Sequence, residues 1–201
     1  MSVAASPRRF VLATRNAHKL REFSGMLPNC ELLALPDDVE LPPEEGTTFA
    51  ENALGKARAA AAATGMAAIA DDSGICATAL DGEPGVWSAR YGGEGATDED
   101  NLNKLISELQ AHEDKSVEYV CVIALVEPDG AETCFEGRCG GKITHSPRGE
   151  GGFGYDPAVV PDDYEDGRTM AELSQPEKDA ISHRGRAAER FVHWLDTRPV
   201  L

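Results

Sequence analysis

The chain has 201 residues, of which 41% are apolar, and a formal net charge of −16. That suffices for one domain with a real core. The acidic balance argues against binding DNA, RNA or an anionic membrane through charge. A small polyanion stays open, because it needs only a local cluster of cations and a metal.

The five cysteines, Cys30, Cys76, Cys121, Cys134 and Cys139, form no C-x-x-C pair, and their number is odd. With no export signal, they are expected as free thiols in the cytoplasm. Arg8-Arg9 precedes an apolar run that stops at Ala13, too short for a signal sequence. No stretch reaches membrane-spanning length.

Residues 1–7 read as a loose tail and Phe10 to Ala13 as a buried strand. Asn16 can cap a helix over His18 to Leu27, with Leu20, Phe23 and Leu27 on one face. Glu31 to Leu35 is a weak strand, and Pro36 to Gly46 an acidic, proline-rich loop. Thr48 and Glu51 form a capping box that opens an alanine-rich helix to Thr64, ended by Gly65. Ala67 to Ala70 reads as a strand that delivers Asp71 and Asp72 to a Ser73-Gly74 turn. Leu80 to Gly95 is glycine-rich and irregular. Thr97 heads a helix with three acids in its first turn. Val117 to Val126 and Thr133 to Ile143 read as a hairpin around Pro128-Asp129-Gly130. Ser174 and Glu177 form another capping box, and Gly185 is expected to end that helix. A last helix covers Arg186 to Leu195. Early alternation of strands and helices followed by a hairpin predicts an α/β fold, a mixed sheet with helical layers. No repeat or linker divides the chain, so a single domain over 1–201 is expected.

Two phosphate-loop look-alikes fail. Gly149 to Gly154 matches G-x-G-x-x-G, but Tyr155-Asp156-Pro157 follows where a helix should start. Gly140-Gly141-Lys142 has Ile143 where a P-loop needs Ser or Thr. The histidines show no H-E-x-x-H spacing, and no G-x-S-x-G elbow is present.

Four segments carry possible chemistry. Adjacent carboxylates Asp71 and Asp72 at a strand end can hold a hard cation such as magnesium; Asp-Ser-Gly is also an ordinary turn. Thr14, Arg15, Asn16, Ala17, His18 and Lys19 lie between a strand and a helix. By themselves they read as a plain loop with solvated cations, and phosphate binding at the helix start is the alternative. Phe153, Gly154, Tyr155 and Asp156 sit among glycines, where an aromatic face suits a purine ring; a tight loop with Phe153 in the core fits equally. Lys178, Ser182, His183 and Arg184 fall on one helical stretch, where a glycine stop suggests a ligand site rather than a solvated basic end. Glu44 and Lys56 are unremarkable when taken singly.

Together these segments, with Gly46, Thr48-Phe49, Glu51-Asn52-Ala53, Ala70 to Gly74, Gly82 to Tyr91, Ala171-Glu172-Leu173 and Lys178 to Gly185, run in the order of one family over nearly the whole chain. The sequence resembles the inosine triphosphate pyrophosphatases, which hydrolyse non-standard purine nucleoside triphosphates (ITP, dITP, XTP) to monophosphate and pyrophosphate. One departure is Arg15, where many members have glycine. The resemblance implies a long mixed sheet flanked by helices, in two lobes with the active site in the cleft between them. It also implies a homodimer and a requirement for Mg2+. Thr14 to Lys19 and Lys56 would hold the triphosphate. Asp72 would be the general base, Asp72 and Glu44 would hold the metal, and Ser73 would contact substrate. Phe153 to Asp156, Lys178, His183 and Arg184 would bind the nucleoside end. Three rivals are a pyrophosphatase of modified pyrimidine nucleotides, an aspartyl-phosphate phosphatase, and a nucleotide-binding regulator without turnover.

Overall fold

The computed structural model describes residues 7–198, apart from the side chains of Ala17 and His18. Nearly all of the expected tail therefore lies outside the described residues. In chain order the elements are β1 (Arg8–Leu12), α1 (Ala17–Met26), β2 (Cys30–Ala34), α2 (Phe49–Thr64), β3 (Ala68–Ala77), α3 (Asp98–Leu109), β4 (Ser116–Val126), β5 (Glu132–Ile143), β6 (Val159–Pro161), α4 (Gln175–Ile181) and α5 (His183–Asp196). Short 3-10 helices occupy Thr78–Leu80, Gly85–Arg90, Asp156–Ala158 and Met170–Glu172. The alternation and hairpin produce the expected α/β class: one six-stranded sheet in the order β2-β1-β3-β4-β5-β6.

The capping signals act as read. Thr48 accepts from the Glu51 amide while Glu51 accepts from the Thr48 amide, and Gly65 takes the left-handed conformation after the last turn. Thr97 and Asp100 do the same for α3, and at the head of α4 Glu177 Oε2 accepts from the Ser174 amide and hydroxyl. Each box satisfies donors that the first turn of a helix otherwise leaves orphaned, worth about 1 kcal/mol per cap.

The sheet is mixed. β1 pairs in parallel with β2 on one side, Leu12 opposite Ala34, and with β3 on the other, Leu12 opposite Ile69. β4 returns as β5 through a five-residue turn, too short for a parallel crossover, so that pair is antiparallel. β6 pairs antiparallel with β5, Lys142 opposite Val160. Gly140, Gly141 and Lys142 thus lie inside β5, which disposes of the P-loop look-alike. After Gly149 to Gly154 comes a one-turn 3-10 helix, so that motif opens no dinucleotide site.

Two expectations need correction. Asp71, Asp72, Ser73 and Gly74 do not end a strand and turn; they are the middle of the ten-residue β3. Polar residues and a glycine look like a turn locally, but strand neighbours supply the pairing that keeps them extended. Gly185 does not end a helix. α4 stops at Ile181 because Ser182 adopts ψ 150°, and Gly185 lies in the first turn of α5. Ser182 Oγ accepts from the Gly185 amide at 3.0 Å, capping α5. A Cβ on Gly185 would stand 2.1 Å from the Asp179 carbonyl oxygen, so only glycine lets the two helices meet this closely.

The chain forms two compact units. The first holds the residues up to Asp72, Val122–Glu136 and those from Ala187 onward; the second holds Ser73–Cys121 and Gly137–Arg186. In the first, Ala53, Ala57, Ala60 and Ala61 of α2 pack with Val11, Ala13, Ala68, Ala70, Ala124 and Val126. A separate aromatic group joins Phe10 and Phe135 edge-on to Phe191, with Trp194 beside them. The core of the second unit gathers Ile75, Leu102, Leu105, Leu109, Tyr119, Ile143, Tyr155, Met170 and Ile181. All five cysteines are free thiols. Among the described residues, no helix is long and apolar enough to cross a membrane.

Candidate active site

In the first unit the order β2-β1-β3 means that the chain crosses one way over the sheet through α1 and the other way through α2. Right-handed crossovers then put the two helices on opposite faces. The carboxyl ends of β1 and β3 flank the switch point, where open α/β sheets bind ligands. The register between β1 and β3 gives out at Ile69, and β3 runs on to Asp71 and Asp72. Successive strand residues point to opposite faces. Asp71 meets Lys19 of α1, Nζ to Oδ2 at 2.9 Å. Asp72 meets α2, where Asn52 Nδ2 donates to its Oδ2 at 2.9 Å. Asn52 also accepts from the Gly46 amide at 2.8 Å, which ties down the end of the acidic loop. Lys56, one turn along α2, donates to Glu44 Oε1 at 2.5 Å.

Burial marks this cluster as more than a solvated face. Asn52, Lys56, Asp71 and Asp72 are all buried. On α2, Asn52 and Lys56 continue the stripe that Ala53, Ala57, Ala60 and Ala61 bury against the core. Burial raises the pKa of the Asp72 carboxyl; Glu44 adds to the rise, while Lys56, the Asn52 hydrogen bond and Lys19 hold it back. Perturbed carboxyls of this kind concentrate at functional sites.

The expected phosphate loop lies beside them. Thr14 Oγ1 accepts from the Asn16 amide at 3.1 Å, and Asn16 Oδ1 accepts from the Lys19 amide at 3.4 Å, the expected cap of α1. Lys19 turns toward Asp71. Arg15 departs from expectation as a cation for phosphate: its guanidinium donates to the carbonyls of Leu35, Pro36, Asp37 and Val39. A planar fork with five donors suits a ring of carbonyls better than a lysine would. Arg15 therefore clamps the start of the 36–46 loop. The backbone at Ala17 and His18 opens α1; the His18 side chain lies outside the described residues.

The second unit gathers the other predicted residues. Arg184 is buried, and its Nη2 donates to Ser73 Oγ at 3.1 Å. Asp156 is buried and heavily engaged. Its Oδ2 accepts from Lys178 Nζ at 2.7 Å and from the Phe153 amide at 3.0 Å; its Oδ1 accepts from Tyr119 Oη at 3.0 Å. Gly152, at φ 72°, has no room for a Cβ, which would stand 2.1 Å from Asp156 Oδ2. The Gly154 amide donates to Asp98 Oδ2 at 3.1 Å. Of the two aromatics, Phe153 is 48% exposed. Tyr155 is buried, with Oη donating to the Ser88 carbonyl at 2.8 Å, so only Phe153 offers an open face. Lys178 Nζ lies 5.3 Å from the Phe153 ring centroid, a cation–π contact. The His183 ring stacks on Tyr119, with centroids 4.8 Å apart and planes 10° apart.

A model of the Ham1 family matches residues 10–194. The chain belongs to the Ham1 family. A protein of Geobacter sulfurreducens named dITP/XTP pyrophosphatase is 51% identical over 185 residues, covering 89% of this chain and 92% of that protein. A HAM1 protein from Coxiella burnetii superposes with a TM-score of 0.86 at 41% identity, over 95% of this chain and all of that one. The Ham1 protein of Staphylococcus aureus gives 0.85 at 38% identity, over 94% of this chain and 98% of that one. The family resemblance read from the motifs is thus borne out, as is the α/β class of the Ham1 fold.

Sequence reasoning passed over two residues of these clusters. Asn52 was discoverable, since it precedes Lys56 by one helical turn. Tyr119 gave no signal: in an apolar strand it reads as core.

Proposed function

We propose that the chain hydrolyses non-standard purine nucleoside triphosphates (dITP, ITP and XTP) to the monophosphate and pyrophosphate. Membership of the Ham1 family, with close relatives named dITP/XTP pyrophosphatase, supports the reaction. The observation that carries the mechanism is the buried set Asp72, Asn52 and Lys56, with half-buried Glu44 on Lys56, beyond the paired end of β1 and β3.

Asn52 occupies Oδ2 of Asp72 and so fixes the carboxylate. The Asp72 carboxylate so held takes the proton of the attacking water. Raised by burial, this carboxyl is a better base than an exposed aspartate would be. Lys19 and Lys56 exchange Asp71 and Glu44 for phosphate oxygens, and the loop amides after Thr14 add donors at the start of α1. Positioning and charge stabilisation of this sort carry most of phosphoryl-group catalysis.

Mg2+ fits these residues. Two lysines face three carboxylates here, one net negative charge that would repel a triphosphate without a cation. Among the described residues, no group of three acidic, histidine or cysteine side chains forms a metal cage. Magnesium asks for none, since one or two carboxylates plus substrate phosphates suffice. Asp72 and Glu44 would hold it, and it would supply neutralisation of the phosphates and acidification of water.

At the nucleoside end, Phe153 offers its face to the purine, and His183 and Arg184 offer donors. A 6-keto group accepts from such donors, whereas the 6-amino group of adenine meets them donor to donor. A homodimer is supported by the family resemblance, and sedimentation tests it. A cytoplasmic location is supported by the five free thiols.

The test is release of pyrophosphate from dITP, ITP, XTP, GTP and ATP, with and without Mg2+. The expected result is magnesium-dependent release that strongly favours the first three. Orthophosphate as product, equal turnover of ATP, or binding without turnover would each overturn the proposal.

A further inference from the structure

Tyr119 joins the nucleoside-end residues from beneath. It lies in β4, buried, and makes two specific contacts at once. Its hydroxyl donates to Asp156 Oδ1 at 3.0 Å, and its ring lies flat against His183 at 4.8 Å. Asp156 in turn accepts from the Phe153 amide and from Lys178 Nζ, the cation that lies over the exposed Phe153 ring. One side chain therefore braces the imidazole directly and the Phe153 loop through a single carboxylate.

Packing alone does not ask for this hydroxyl. A phenylalanine would fill the same space and stack on His183 equally well. The hydroxyl instead supplies a fixed donor to a carboxylate that would otherwise be less firmly oriented. Burial, together with the nearby Asp156 charge, raises the phenol well above its usual pKa. It stays protonated, and so remains a donor, throughout the range in which the protein would work.

We propose that Tyr119 is a positioning residue for purine recognition. It sets the plane of the His183 imidazole and, through Asp156, the attitude of the Phe153 ring that receives the base. This rests on reading His183 and Phe153 as nucleoside-binding residues. Tyr119 itself touches no substrate. Its loss should weaken the grip on the base and leave the phosphate chemistry of Asp72 intact.

The test uses the full chain as wild type, Tyr119→Phe, Tyr119→Leu and His183→Ala, with pyrophosphate release measured for dITP and ATP. Circular dichroism and thermal melting confirm that each variant is folded. Tyr119→Phe is expected to raise KM for dITP about three- to tenfold, the size of one net hydrogen bond, with kcat within about twofold. Tyr119→Leu also loses the stack. It should raise KM further and narrow the preference for dITP over ATP. A purely structural tyrosine would lower Tm and leave KM unmoved at assay temperature, which would overturn the proposal. Should Tyr119→Leu fail to fold, KM of Tyr119→Phe decides. If His183→Ala also leaves KM and preference unchanged, the reading of the nucleoside end falls and this proposal with it. Unchanged KM in the Tyr119 variants alone overturns only the role of Tyr119.

Discussion

Asp72→Asn separates catalysis from stability in a single substitution. The amide has nearly the shape of the carboxylate but cannot take a proton from water and ligates magnesium poorly. Loss of a general base costs about a hundredfold or more, at least about 2.7 kcal/mol of transition-state stabilisation. Stability should move differently. Because burial raises the Asp72 pKa, the folded state prefers the neutral carboxyl. That preference contributes stability in acid, and the contribution is lost as pH rises through the raised value. At neutral pH the ionised group is therefore held at a cost, which the uncharged amide removes. The Asn52 bond at 2.9 Å survives, since an amide oxygen also accepts. It weakens from a charge-assisted bond of about 1.5–3 kcal/mol to a neutral one of about 0.5–1.5 kcal/mol. Relief from charge burial offsets that loss. The assays are pyrophosphate release from dITP at saturating Mg2+ and thermal unfolding from acid to neutral pH. Activity should fall at least a hundredfold while Tm at neutral pH holds or rises, with the variant gaining on the wild type as pH increases. More than a tenth of wild-type activity would remove Asp72 as the base. A fall in Tm beyond about 4 °C, roughly 1 kcal/mol or more for a chain of this size, would refute the electrostatic reasoning.

Arg184→Ala should lower kcat/KM for ITP far more than for ATP, shrinking the preference at least about tenfold, because a charged donor to the 6-keto oxygen is lost. Equal losses for both substrates would place Arg184 elsewhere. Activity should climb with pH toward neutral and beyond, because the attacking water must give up a proton; an optimum near pH 5 at saturating Mg2+ would contradict this. Arg15→Gly should change KM for dITP less than about threefold, since its guanidinium is spent on the carbonyls of 35–39. Lys19→Ala should raise KM at least about tenfold, the worth of one charge-assisted bond. The reverse ranking in steady-state kinetics would restore Arg15 as a phosphate ligand.

What the amino-acid sequence determined by itself was whatever a few neighbouring residues settle. Thr48 with Glu51, Thr97 with Asp100 and Ser174 with Glu177 opened helices where they stood, because a capping box is closed within four residues. The hairpin around Asp129 and the family motifs were legible for the same reason of proximity. Tertiary structure decided what depended on partners far along the chain. Asp71 and Asp72 read as a strand end and Ser73-Gly74 as the turn after it, yet all four lie inside β3. Gly185 read as a helix stop, yet its lack of a side chain serves the contact between the start of α5 and the Asp179 carbonyl. The resemblance made Arg15 a phosphate ligand, but four carbonyls twenty or more positions away hold its guanidinium. Tyr119 looked like any core aromatic, and only folding brings its hydroxyl to Asp156 and its ring to His183. Local hydrogen bonding and chain stiffness are written in adjacent residues, whereas the partner of a buried charge is set by topology.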